Sequence, residues 1–239
     1  MRPEGGGGLA DEVSRRHLLS SETVYRGRIW DVVQDRFEYS TDQEPLVRDY
    51  IDHPGAVAVV VLDDDGRVLL LNQYRHPVGM TLWEIPAGLL DVDGEPPVDA
   101  AARELAEEAD LTAATWHVLA DMFNSPGSSS EAIRIFLARG PAEVPHGQRH
   151  ARTDEEADME IRWVPLAEAV DAVLAGRIHN PSAVAGILAC RAASSGDFAA
   201  LRPSDAPWEA HPKLRATDPA ATDPAATDPT AADAPPSGS

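Results

Sequence analysis

The chain has 239 residues, and its 40 acidic side chains against 20 basic ones give a formal net charge of -20 at pH 7. So acidic a surface argues against a protein that coats DNA or RNA, which needs cations to neutralise phosphates. Hydrophobic residues make up 43%, enough for a real core, and no apolar run approaches the roughly 20 residues of a membrane-spanning helix. The single cysteine, Cys190, leaves no internal disulfide and no cysteine-based zinc cluster. The N-terminal stretch has no apolar segment of a secretory signal, so a cytoplasmic location is expected.

In chain order, the glycine-rich start makes residues 1–21 a flexible tail. Residues 22–52 form a small antiparallel β unit: Thr23 to Trp30, Asp31 to Tyr39 and Leu46 to Asp52 are rich in β-branched and aromatic residues, with TDQEP as a turn. The main domain covers residues 53–200. Ala56 to Leu62 is a continuous apolar run, the pattern of a strand buried on both faces. DDDGR then turns the chain into Val68 to Asn72. Leu82 to Ile85, Trp116 to Phe123, Ala132 to Ala138 and Glu160 to Val164 read as strands, and Val98 to Ala109, Leu166 to Ala175 and Ala183 to Ala193 as helices. This order predicts an α+β fold, an α/β/α sandwich around a mixed sheet. From residue 201 the text becomes rich in Pro and Ala and passes into the repeated TDPAA unit, so residues 201–239 are expected to be a disordered acidic tail.

Chemistry concentrates in Trp83 to Leu111. On a helical wheel Val98, Ala101, Ala102, Leu105 and Ala109 supply a core face, while Glu104, Glu107 and Glu108 share an adjacent one. Three carboxylates within one turn repel each other. By itself an ExxEE pattern is most simply a solvated face. A divalent cation would make the cluster favourable, and an all-oxygen set suits Mg2+ or Mn2+.

Together with Gly88, Glu95 and Arg103, these residues resemble the signature of the Nudix hydrolases, G-x5-E-x7-R-E-U-x-E-E-x-G-U with U a bulky apolar residue. Two departures stand out: six residues rather than five separate Gly88 from Glu95, and Asp110 stands where the signature ends its helix on glycine. Aspartate tolerates the left-handed conformation such a position needs. The resemblance implies metal-dependent hydrolysis of a nucleoside diphosphate linked to another group. It makes Glu104, Glu107, Glu108 and the Ala87 carbonyl metal ligands, Glu108 a catalytic residue, and Arg103 with Glu95 a pair that orients the ligands.

Four further features resemble the ADP-ribose pyrophosphatase branch of that family. Ser125-Pro126-Gly127 places Pro126 fifteen residues beyond Leu111, and Glu131 then matches an acid that contacts ribose. Asn72-Gln73-Tyr74-Arg75 matches a segment whose arginine reaches the diphosphate, which would be Arg75. The acidic run Thr153 to Met159 falls where the branch carries a general base on a loop, here Glu155 or Glu156. The N-terminal β unit matches strands that exchange between subunits, so Trp30 would stack on adenine and Arg48 would reach the phosphates. The resemblance thus implies a homodimer that cleaves ADP-ribose to AMP and ribose 5-phosphate. Alternatives are hydrolysis of another nucleoside-diphosphate sugar or a dinucleotide, a silent ligand sensor, and an interaction protein working through its TDPAA tail. None of the eight histidines shows metal-ligand spacing, and Cys190 reads as a small buried residue.

Overall fold

The computed structural model describes residues 8–150 and 159–214. Glu155, Glu156 and the TDPAA repeats lie outside the described residues. Three strands come first, β1 (His17–Tyr25), β2 (Asp31–Glu38) and β3 (Leu46–Asp52), paired antiparallel in the order β1-β2-β3. Then follow β4 (Ala56–Leu62), β5 (Arg67–Arg75), β6 (Met80–Glu84), β7 (Ala87–Leu89), α1 (Pro97–Ala109), β8 (Leu111–Phe123) and β9 (Ala132–Glu143). β10 (Glu160–Pro165), α2 (Leu166–Leu174), α3 (Pro181–Ser194) and the short β11 (Arg202–Pro203) complete the order.

The larger sheet runs β10-β5-β4-β9-β8-β11, with β6 added to β5 and β7 to β4. Its β4–β9 pair is parallel and its other pairs are antiparallel, so the sheet is mixed. Every residue of β4 is buried because the strand is covered on both faces. Val57, Val59 and Val61 pack with Ala100, Ala101, Leu105 and Ala109 of α1. Ala56, Ala58, Val60 and Leu62 point the other way, toward Ala169 of α2 and Ala183, Ile187 and Cys190 of α3. The two-residue alternation of one strand therefore builds both halves of the α/β/α sandwich. Burial pushes the Cys190 thiol up to about 11, as suits a packing residue.

The structure corrects several boundaries. β1 begins at His17, so residues 17–21 are strand and not tail; they pair with β2 from His17↔Glu38 to Ser21↔Asp35. The first strand also ends earlier than the apolar pattern implied, because the Asp31 carboxylate accepts the Gly27 N–H at 3.2 Å and closes a turn before β2. On α1 it is Ala100, and not Ala102, that is fully buried beside Ala101 and Leu105.

The largest correction concerns residue 201 onward, where residues 201–214 are a folded strap. Arg202 and Pro203 pair with Val118 and His117 of β8. Trp208 is buried under the guanidinium of Arg134, which lies 4.6 Å from its ring centroid. Arg134 is only 2% exposed; it donates to Ala206 O at 2.7 Å and Pro207 O at 3.2 Å, and holds Asp121 by two bonds of 2.8 and 3.0 Å. This buried arginine gives the strap's carbonyls their partners, which the Pro/Ala-rich composition did not reveal.

Candidate active site

α1 opens on Pro97, whose fixed φ suits a first helical turn and whose missing N–H costs nothing there. It ends on Asp110, at φ 55°, with the Asp110 N–H donating to the Ala106 carbonyl at 3.2 Å. The aspartate thus takes the left-handed role expected of it. Between these ends the helix aims Glu104 and Glu108 at β7. The Ala87 N–H donates to Glu108 Oε2 at 3.0 Å. A Cβ on Gly88 would run into the Glu104 carboxyl, so only glycine lets that carboxyl lie against the strand.

Arg103 collects the remaining acids. Its Nη1 donates to Glu104 at 2.6 Å and to Glu107 at 3.4 Å, while Nε and Nη2 clamp Glu95 at 3.1 and 3.0 Å. The clamp holds Glu95 below the usual carboxylate range and raises Arg103 further. Burial pushes Glu104 up, with Arg103 pulling it back and the Glu107 charge adding to the rise. Glu104 and Glu107 therefore share one guanidinium, and Glu104 and Glu108 share Ala87-Gly88. Among the described residues no three acidic, imidazole or thiolate groups already close into a metal cage. The donor set nevertheless fits a hard divalent cation: the acids are oxygen-only ligands, partly desolvated, with Glu104 and Glu108 against β7 and Glu107 joined to Glu104 through Arg103.

Beside this cluster lies a cleft of about 800 Å³. Its walls are Ile29, Trp30 and Asp31 at the start of β2, Asp52 at the end of β3 with Pro54 beyond it, residues 90–97 leading into α1, and His211, Lys213 and Leu214 of the strap. Glu95 belongs both to this wall and to the Arg103 clamp, so cleft and carboxylates are continuous. Trp30 is half exposed, its ring 5.4 Å from that of His53.

The Ser125-Pro126-Gly127 turn joins the two sheets. The Ile51 N–H donates to Ser128 O at 2.9 Å, the Ser130 N–H to Ile51 O at 3.0 Å, and the His53 N–H to Ser130 Oγ at 2.9 Å. Behind it, Glu131 accepts from Asn124 Nδ2 at 2.7 Å and lies 3.7 Å from His53 Nε2. Burial lowers His53 below its ordinary value, with Glu131 pulling it up.

Taken residue by residue, Glu95, Arg103, Glu104, Glu107, Glu108 and Ala87 come together as the spacing required, and Trp30 joins the adjoining cleft. Arg75 is held by Glu84 through two bonds of 2.9 and 2.7 Å. Arg48 is not brought to the cleft within one chain; its Nη1 donates to the Val47 carbonyl at 2.7 Å. Sequence reasoning missed Glu84, the buried partner of Arg75, though an acid in the apolar WEIP stretch is a signal. His211 and Lys213 reach the cleft wall through long-range contacts that no local pattern in the sequence shows.

The Nudix domain profile matches residues 52–184. The chain belongs to the Nudix family. ADP-ribose pyrophosphatase of Mycobacterium tuberculosis is 47% identical over 190 residues, 80% of this chain and 89% of that protein. ADP-ribose pyrophosphatase of Bacillus subtilis is 31% identical over 162 residues, 68% of this chain and 85% of that one. A crystal structure of an ADP compounds hydrolase superposes with a TM-score of 0.65 at 22% identity, covering 79% of this chain and 98% of that one. This last likeness is one of fold. Nudix hydrolases generally use divalent metal ions, the chemistry for which the α1 carboxylates are suited.

Proposed function

We propose that this Nudix hydrolase cleaves the diphosphate bond of ADP-ribose, releasing AMP and ribose 5-phosphate, in a Mg2+-dependent reaction that Mn2+ also supports. The observation that carries the reading is that Glu104 and Glu108 meet Ala87-Gly88 while Arg103 links Glu104 to Glu107 and to Glu95 at the edge of the cleft that carries Trp30. The similarity to two proteins named ADP-ribose pyrophosphatase supports the choice of substrate.

In this reading Glu104, Glu107, Glu108 and the Ala87 carbonyl hold the metal. When bound, the ion neutralises the diphosphate and lowers the pKa of water, which lets a protein of net charge -20 accept a polyanion. Arg103, fixed by Glu95, orients Glu104 and Glu107. The Ala87 N–H orients Glu108 in the same way. Glu155 or Glu156 takes the proton of the attacking water as general base. Arg75, oriented by Glu84, binds the diphosphate, Glu131 accepts from a ribose hydroxyl, and Trp30 stacks on the adenine. Arg48 serves the site of a partner subunit in a homodimer built on the N-terminal sheets. Among the described residues no helix is long and apolar enough to cross a membrane, and a cytoplasmic location belongs to the same proposal.

The test is incubation with ADP-ribose and Mg2+ at mildly alkaline pH, with AMP followed by chromatography. AMP and ribose 5-phosphate in equal amounts are expected. No AMP from ADP-ribose, with turnover of another nucleoside-diphosphate sugar in a substrate panel, removes the substrate assignment.

A further inference from the structure

We infer that Lys213, carried by the C-terminal strap, is a substrate-binding residue that meets an anionic phosphoryl oxygen of the nucleotide in the cleft. The inference deepens the proposed function and rests on its nucleotide reading. Five of the cleft's lining residues are acidic: Asp31, Asp52, Asp91, Asp93 and Glu95. Among the described residues Lys213 is the one lysine or arginine that lines it. Carboxylates suit ribose hydroxyls and an exocyclic amine, which donate to them, but they repel phosphate. A cation on the same wall offsets that repulsion where an anionic group must pass or rest.

The strap is built in a way that singles out this residue. Arg134 ties down Ala206 and Pro207, and Trp208 fills the space beneath its guanidinium. His211 is then seated between Trp208, at 4.6 Å between ring centroids, and Gly55. Gly55 sits at φ +99°, and a Cβ there would run into the His211 ring. His211 Nδ1 in turn accepts the N–H of Lys213 and of Leu214, both at 3.1 Å. The backbone of Lys213 is thereby fixed by a chain of buried contacts, while its side chain stays 47% exposed at the cleft. A rigid backbone under a half-exposed side chain is the arrangement of a preorganised binding group.

The resting partner of the ammonium is Asp52 Oδ2 at 3.1 Å, on a carboxylate 39% exposed. An ion pair so exposed contributes little to stability, so Lys213 can redirect toward an entering phosphoryl oxygen at small cost. Lysine suits the task because its compact charge rides on a flexible stem.

The experiment compares full-length wild type with Lys213→Met and Lys213→Arg. It measures AMP and adenosine binding by calorimetry, ADP-ribose kinetics, and melting temperature. In Lys213→Met, the Kd of AMP and the KM of ADP-ribose are expected to rise about tenfold, with kcat and melting temperature held and adenosine binding unchanged. Lys213→Arg should recover most of the loss. Unchanged AMP affinity and KM in Lys213→Met overturn the inference. So does an equal loss of AMP and adenosine binding with a lowered melting temperature, which would make Lys213 only a pin for the strap. If wild type turns over no ADP-ribose while Lys213→Met still loses AMP selectively, the proposed reaction falls and the role of Lys213 stands.

Discussion

Glu108 shows how little separates a ligand from a packing group. It is buried, and the Ala87 N–H fixes one of its oxygens. Replacing it by Gln removes the charge while keeping the volume and the acceptor oxygen. Glu108→Gln is therefore expected to fold normally and to lower kcat a hundredfold or more, on the order of what a lost electrostatic stabiliser of the transition state costs. Steady-state kinetics and a thermal melt on the same sample check this; full activity would show that Glu108 holds no essential metal. Glu104 depends on its neighbourhood in another way, since the absent side chain of Gly88 is what allows its carboxyl to lie against β7. Arg103 supports Glu104 in turn, because a guanidinium that engages Glu95, Glu104 and Glu107 at once offsets the mutual repulsion of these acids.

Among the elements, α1 and the strap place their side chains by different means. α1 needs only its own period: positions 104, 107 and 108 fall on one side, and positions 101, 105 and 109 on the buried one. The strap has almost no regular structure and depends on Arg134 of β9. Arg134→Leu leaves Asp121 with Arg202 alone and strips the partners from two strap carbonyls. Removing one partner of a buried charged pair costs about 3 kcal/mol or more. Arg134→Leu should lower the unfolding free energy by that order in denaturant titration. It should also open the strap to limited proteolysis and raise the KM of ADP-ribose along with it. Intact protease resistance would mean that the strap is held by something other than this arginine.

For the molecule as a whole, the N-terminal sheet is the incomplete part. Every residue of β1 is exposed, including Leu18, Leu19, Val24 and Tyr25, and β2 and β3 add Tyr39 at the end of one and Val47 on the other. A three-stranded sheet with this much apolar surface is expected to bury it against a second copy, with an interface of about 1,200–2,000 Å² or more. Sedimentation at micromolar concentration should then give a dimer. A monomer there would remove the partner subunit to which Arg48 is assigned. The serine-rich turn at residues 125–130 connects that sheet to the catalytic body, so the N-terminal sheet and the cleft wall that carries Trp30 share one support.

The signature around α1 was legible because most of its requirements act between residues close in the chain. The spacing of the glutamates, the Arg103–Glu95 pairing eight residues apart and the left-handed end at Asp110 are all local. β4 was legible for a similar reason, since an unbroken apolar run implies cover on both faces. The strap, the start of β1 and the seating of His53 were not. Trp208 and Arg134 lie far apart in the chain, and His17 is held in a strand by its pairing opposite Glu38 rather than by any apolar pattern of its own. Periodicity and caps are properties of neighbouring residues, so they can be read along the chain. Which distant segment supplies a missing hydrogen-bond partner or a cleft wall is decided only when the tertiary structure brings the two together.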